Sequence, residues 1–192
     1  FGQGYASAED HACSLADQLL KITSTRAAFL GAGSGDANIN SDFAWKSIGI
    51  NELAREDYLA VSTEITDQFE AFAAGWNSYV DEVGVDGLSG WCSGADWVRT
   101  VTGEDVYAYA RSIALNASSS RLAGYIASAV PPSSAEAQPA NYENPALAAT
   151  PMASNGWAVG RDAVEGGQGG VLVANPHFPW EGELRFWEVH LT

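Results

Sequence analysis

Positive charge is scarce in this sequence. Nine Lys and Arg stand against 24 Asp and Glu, a formal net charge of -15. A field of that sign repels phosphate backbones and argues against a nucleic-acid partner. Long apolar runs are missing too, so no segment reads as a membrane span and no membrane partner is expected. Only two cysteines occur, Cys13 and Cys92, without any Cys-x-x-Cys or Cys/His spacing around them. No zinc site follows from that pattern. A disulfide between the two and a pair of buried thiols both remain open at this point. The histidines His11, His177 and His190 are too scattered to argue a metal site. No serine sits in a Gly-x-Ser-x-Gly elbow, which counts against an α/β-hydrolase arrangement. The loop Gly31–Gly35 is followed by no Lys-Ser/Thr and is no phosphate cradle. No metal and no cofactor is expected.

What is present is a composition that folds. Hydrophobic residues make up 46% of the 192, aromatics 11%, and there are seven Trp. This is enough for one domain with a sizeable core, and it is not a disordered composition. The acidity reads as a well-solvated surface. The carboxylate pairs Glu9/Asp10 and Asp81/Glu82 belong to that surface, and the sequon Asn116-Ala-Ser118 falls inside a predicted helix and is read as chance.

The chain changes character twice. Residues 1–130 read mostly helical. Ala8, Ala12, Leu15, Leu19 and Ile22 recur at helical spacing. A long helix is predicted from about Asn51 to Glu82, with Ile65, Phe69, Phe72, Trp76 and Tyr79 on its apolar face. Gly84, Gly87, Gly90 and Gly94 break the pattern. Another helix is predicted after Thr102, with Glu104 and Asp105 in its first turn and Val106, Ala110 and Ile113 on one face, continued loosely by Leu122 and Ile126. From Pro131 to Ala153 the sequence is rich in Pro, Ala and Ser and reads as a linker. After it the period shortens. Trp157–Val159 and Val171–Ala174 are predicted strands of a hairpin around the Gly-rich turn Gly166–Gly170. Leu184–Leu191 alternates like a third strand, with Phe186, Glu188 and His190 on one face. Two or three strands are marginal alone, and the opening Phe1-Gly-Gln-Gly-Tyr5 is abrupt. The sequence therefore reads as the middle of a longer protein, with its leader undetermined.

Two places carry candidate chemistry. Ser154 sits where the linker meets the first strand. A cut between Ala153 and Ser154 would make it an N-terminus, whose α-amine, with an ordinary pKa of about 8, can take the hydroxyl proton. Without its neighbours, Ser154 is better read as a turn serine before a strand. The second place is Asn175-Pro-His177-Phe178-Pro-Trp180, a histidine between two prolines and flanked by aromatics. By itself it is better read as a strand-end turn.

Taken together the two carry a resemblance. Ser154-Asn155-Gly-Trp157-Ala-Val159 resembles the start of the β chain in the penicillin acylase family. Gly169 to Trp180, with Arg185-Phe-Trp187-Glu-Val-His190-Leu-Thr192, resembles the segment that follows. The Asn-Pro-His-Phe-Pro-Trp form is closest to the branch of acyl-homoserine-lactone and aculeacin-type lipopeptide acylases. Gly4-Tyr5-Ala-Ser-Ala-Glu9-Asp10-His-Ala-Cys13 and Asn40-Ser-Asp42-Phe43 are similar to its α chain.

The resemblance implies an α+β protein of the αββα N-terminal-nucleophile fold, made from one self-cutting precursor. It implies an α chain over 1–130, a spacer over 131–153 and a β chain from 154, the last represented here by its first strands, to 192. The two chains would form an α/β heterodimer. The implied reaction is hydrolysis of a linear amide in a small N-acyl substrate, a long-chain N-acyl-homoserine lactone or a lipopeptide. Ser154 would be the nucleophile, with His177 supporting its amine and Phe178 and Trp180 walling the acyl pocket. A penicillin or cephalosporin acylase is the alternative within the family, and a non-catalytic helical binding module the alternative outside it. The acylases it resembles are periplasmic or secreted, which favours a Cys13–Cys92 disulfide. Two departures stand out. The loop Arg161–Gly170 carries an extra residue relative to the family pattern. The family's oxyanion donors lie beyond Thr192, so residues 1–192 alone are expected to be inactive.

Overall fold

The computed structural model describes residues 1–115, 118, 122–130, 153–180 and 185–190. The linker 131–152 and the sequon's Asn116 lie outside the described residues, as do Leu184, Leu191 and Thr192 of the expected third strand. The chain divides into two compact units, Phe1–Tyr142 and Glu143–Thr192.

The first unit is helical. Its helices are α1 (Gly2–Ile22), α2 (Arg26–Leu30), α3 (Ala37–Ile48), α4 (Ile50–Tyr58), α5 (Thr63–Val83), α6 (Gly103–Ala114) and α7 (Ala123–Ala127). None is long and apolar enough to cross a membrane. The core lies between α1, α5 and α6. Ala8, Ala12, Leu19 and Ile22 of α1 are buried there with Ala73, Trp76, Tyr79 and Val80 of α5 and Val106 and Ala108 of α6.

The α1–α5 crossing is set by two glycines. A Cβ on Gly4 would collide with the Phe72 carbonyl, and one on Gly75 with the Phe1 carbonyl. The two backbones therefore touch. Tyr5 and Tyr79 pack edge to face beside the crossing, and the Tyr5 hydroxyl donates to Glu82 at 2.8 Å. A disulfide joins Cys13 of α1 to Cys92 in the loop after α5, with Cα atoms 5.2 Å apart. Closing a loop across 79 positions of sequence stabilises a fold by about 2–4 kcal/mol.

The Asn40–Phe43 motif has a structural use. The Asp42 carboxylate accepts from the backbone N–H groups of Arg26, at 3.0 Å, and Ala27, at 2.8 Å, and so caps α2. Arg26 in turn pairs with Asp17 of α1. Lys21 lies over the Trp45 ring, 5.1 Å from its centroid, and pins α3 to α1.

Besides the helix after Thr102, which ends at Ala114 short of Leu122 and Ile126, two expected elements differ from the sequence reading. The long helix over 51–82 is two helices, α4 and α5, separated at 59–62. Ser62 has the extended backbone of an N-cap residue and starts α5 anew. The apolar face survives from Phe69 to Tyr79, with Trp76 fully buried, whereas Ile65 near the new start is exposed. The other correction concerns 185–190, which form no strand. Alternation alone does not make one: a strand also needs a neighbour with backbone groups to pair. Among the described residues only β1 (Ala153–Val159) and β2 (Val171–His177) pair, as an antiparallel hairpin. Both run longer than the apolar stretches that announced them.

Candidate active site

The candidate residues lie on the hairpin of the second unit. β1 begins at the end of the proline-rich stretch, and β2 ends in the Asn-Pro-His motif. Ala153 faces His177 across the ladder, Ser154 faces Pro176, Asn155 faces Asn175 and Trp157 faces Val173. Proline has no N–H, so the rung opposite Ser154 can carry at most one ladder hydrogen bond. The peptide bond between Ala153 and Ser154 sits at the open end of the hairpin, on its first two rungs.

Side chains alternate across a sheet. Asn155, Trp157 and Val159 therefore share a face with Val171, Val173, Asn175 and His177. Ser154, Gly156 and Ala158 share the other with Leu172, Ala174 and Pro176. The sequence coupled Ser154 with His177. The structure places them on neighbouring rungs, but their side chains leave opposite faces. The Ser154 main-chain nitrogen, by contrast, lies in the plane of the sheet, beside the His177 rung.

The His177 ring has partners of its own. Its Nε2 lies 3.0 Å from the Asn175 side-chain nitrogen and 3.4 Å from that of Asn155. Neither asparagine stood out as a site residue in the sequence. Both lie inside motifs that did, and only the register shows that they face each other. Phe178, half-buried, stacks on Phe186 with centroids 4.3 Å apart and planes 21° from parallel. Phe186 is thus a second aromatic of the candidate acyl wall, visible in the sequence only as a position of the expected third strand. Trp180 is 94% exposed and adds no buried wall here. Trp157, Val171, Leu172 and Val173 are also exposed, so apolar side chains stand uncovered on both faces of the hairpin. No group of three potential metal ligands occurs among the described residues.

Comparison with known proteins places these residues in a family. The family model described as penicillin amidase matches residues 1–192. The acyl-homoserine lactone acylase PvdQ of Pseudomonas fluorescens (strain Pf0-1) is 33% identical over 207 aligned residues, covering 100% of this chain. The aculeacin-A acylase of Actinoplanes utahensis is also 33% identical, with the same coverage. The acyl-homoserine lactone acylase PvdQ of Pseudomonas savastanoi pv. phaseolicola (strain 1448A / Race 6) is 30% identical over 208 residues. The chain spans 26% of the length of each of these relatives. With a match that runs from its first residue to its last, the chain belongs to the penicillin amidase family.

Proposed function

We propose that the full-length protein hydrolyses a linear amide in N-acylated substrates, after cutting itself before Ser154. One observation carries this reading: Ser154 stands at the start of β1, opposite Pro176 at the open end of the hairpin, in a chain that matches the family from end to end. The relatives named as acyl-homoserine lactone and aculeacin-A acylases point to N-acyl amides, and we take the acyl chain to be long.

In the first step Ser154 Oγ attacks the Ala153 carbonyl and the acyl group passes from nitrogen to oxygen. Water hydrolyses the ester, leaving the Ala153 carboxylate and a free Ser154 α-amine. A second hydrolysis, after Val130, removes the spacer 131–153, and the α chain, 1–130, and the β chain, from 154, remain together as a heterodimer in the αββα N-terminal-nucleophile fold. In the mature reaction the α-amine takes the Oγ proton as Oγ attacks the substrate carbonyl. The C–N bond breaks, the proton goes to the leaving amine, and water releases the acyl group. His177 serves the amine rather than the hydroxyl, because the Ser154 nitrogen lies in the sheet plane beside its rung while Oγ leaves from the other face. Phe178, stacked on Phe186, walls the acyl pocket, and Trp180 joins that wall where further β chain covers it; each CH₂ buried there contributes about 0.8 kcal/mol. The oxyanion donors come from β-chain residues beyond 192. A secreted or periplasmic location agrees with the Cys13–Cys92 disulfide.

The test is mass spectrometry of the full-length protein with amide substrates in parallel. The wild type is expected to yield a β chain starting at Ser154, and Ser154→Ala to leave the precursor whole and inactive. An uncut wild type without amidase activity would instead favour a helical binding module. Faster turnover of phenylacetyl than of decanoyl amides would move the assignment to a penicillin or cephalosporin acylase.

A further inference from the structure

We infer that Asn155 and Asn175 are positioning residues that hold the His177 ring in one orientation and one tautomer, leaving Nδ1–H as the only group it offers to the Ser154 amine and its water. The inference rests on the proposed amide hydrolysis and assigns new residues to that same site.

The two asparagines come from separate motifs, and the hairpin makes them direct cross-strand partners. Both share a face with His177, two residues along β2 from Asn175 and diagonal to Asn155. Both present a side-chain NH₂ to the same ring nitrogen, at 3.0 and 3.4 Å. An amide NH₂ only donates, and a neutral imidazole has one donor nitrogen and one acceptor. Nε2 is therefore the acceptor and the proton sits on Nδ1. Both donors are uncharged. With its one lone pair occupied from two sides, the ring does not serve as the base that deprotonates Ser154. That role stays with the α-amine. The ring's contribution is a fixed N–H beside the strand end that the cut would free.

An aspartate is isosteric with asparagine but cannot donate. Asn175→Asp turns the contact round: the carboxylate accepts from Nε2–H, the tautomer reverses, and the negative charge favours the imidazolium. The experiment uses the full-length protein, with wild type and Ser154→Ala as references and a decanoyl amide as substrate. Asn175→Asp and Asn175→Ala are each expected to lower kcat on the order of tenfold or more, with little change in KM. Asn155→Asp should do the same more weakly, in keeping with its longer contact. In the aspartate variants the loss of kcat should grow as the pH rises, because the imidazolium that the carboxylate favours still carries Nδ1–H and only the neutral, reversed tautomer lacks it. Thermal unfolding of each variant shows whether it folds. Folded Asn175→Asp with wild-type kcat and an unmoved pH profile overturns the inference. So does a loss of rate that merely follows a loss of folded protein. If the wild type itself hydrolyses no amide, or Ser154→Ala matches it, the functional reading fails and this inference with it. If those references behave and only the asparagine variants are silent, the functional reading stands and this inference alone falls.

Discussion

At Gly75 the chain has no room for a methyl group, because the space a Cβ would fill holds the Phe1 carbonyl and the Tyr5 backbone nitrogen. Two effects compete in Gly75→Ala. Alanine gains about 1 kcal/mol of helix propensity over glycine. Against it, overpacking into a well-packed contact costs about 1–3 kcal/mol, and here the obstacle is main chain, which cannot rotate away as a side chain would. The clash wins, and the urea midpoint of Gly75→Ala should fall below that of the wild type. A raised midpoint would mean that α1 and α5 separate easily. This contact was not legible in the sequence, since nothing in the spacing of Gly4 and Gly75 says which helices cross there. Ser154 and His177 stood out as candidates in the sequence, because each sits inside a compact motif. Their placement on opposite faces was not legible there. Face parity depends on the register of the hairpin, and a one-residue slip would reverse it. The Gly-rich loop between the strands leaves that register open until the ladder is seen. The Asn155–Asn175 pairing was hidden for the same reason.

Among the elements, α6 was the most readable, and its start shows why. Thr102 and Asp105 form a capping box. The Thr102 hydroxyl accepts from the Asp105 N–H at 3.2 Å, and the Asp105 carboxylate accepts from the Thr102 N–H at 2.9 Å. Arg99 adds two contacts of 2.8 Å to the same carboxylate. Burial alone would push the Asp105 carboxyl up, but the bonds from Arg99 and Thr102 outweigh it and hold it below its ordinary range. A carboxyl depressed in the folded state stabilises fully above its unfolded pKa, at about pH 4, and loses that contribution as pH falls through the lower folded value. Thr102→Ala should cost about 1 kcal/mol at neutral pH, as lost N-caps do. Asp105→Asn should also lower stability at neutral pH, and by less as the pH is brought below 4. Denaturation midpoints at pH 7 and pH 3 check both. A gap between Asp105→Asn and wild type that widens on acidification would show the sign to be wrong. The α4–α5 break was harder to read. Leu59, 87% exposed, and Val61 carry the apolar character across the gap, so composition gives little sign of a stop, and the restart rests on the one small residue Ser62. The expected third strand failed for the opposite reason. Its alternation was clear, but pairing is a property of two segments and cannot be read from one.

On the scale of the whole molecule, the two units differ in how they hold their own structure. The helical unit buries Trp76 and Cys92 completely and closes its core with a disulfide. The hairpin buries nothing comparable: Leu172 and Trp157 are 72% and 60% exposed, and β2 is exposed along its entire length. A two-stranded sheet in water is marginal, and an uncovered apolar face contributes little to its stability. If the remaining three-quarters of the relatives' length has its counterpart in the full-length protein, that is where cover for the hairpin comes from. Hydrogen exchange separates the two cases. In a protein of residues 1–192 alone, amides in the centres of α1 and α5 should exchange slowly, at the rate of global opening. Those of β1 and β2 should exchange nearly as fast as unfolded chain. In the full-length protein the hairpin amides should become as slow as those of α5, and hydrolysis of decanoyl amides should be found only there. Hairpin amides protected to the level of α5 in residues 1–192 alone would show that the strands need no further cover. Ser154 would then be held in place by the hairpin itself.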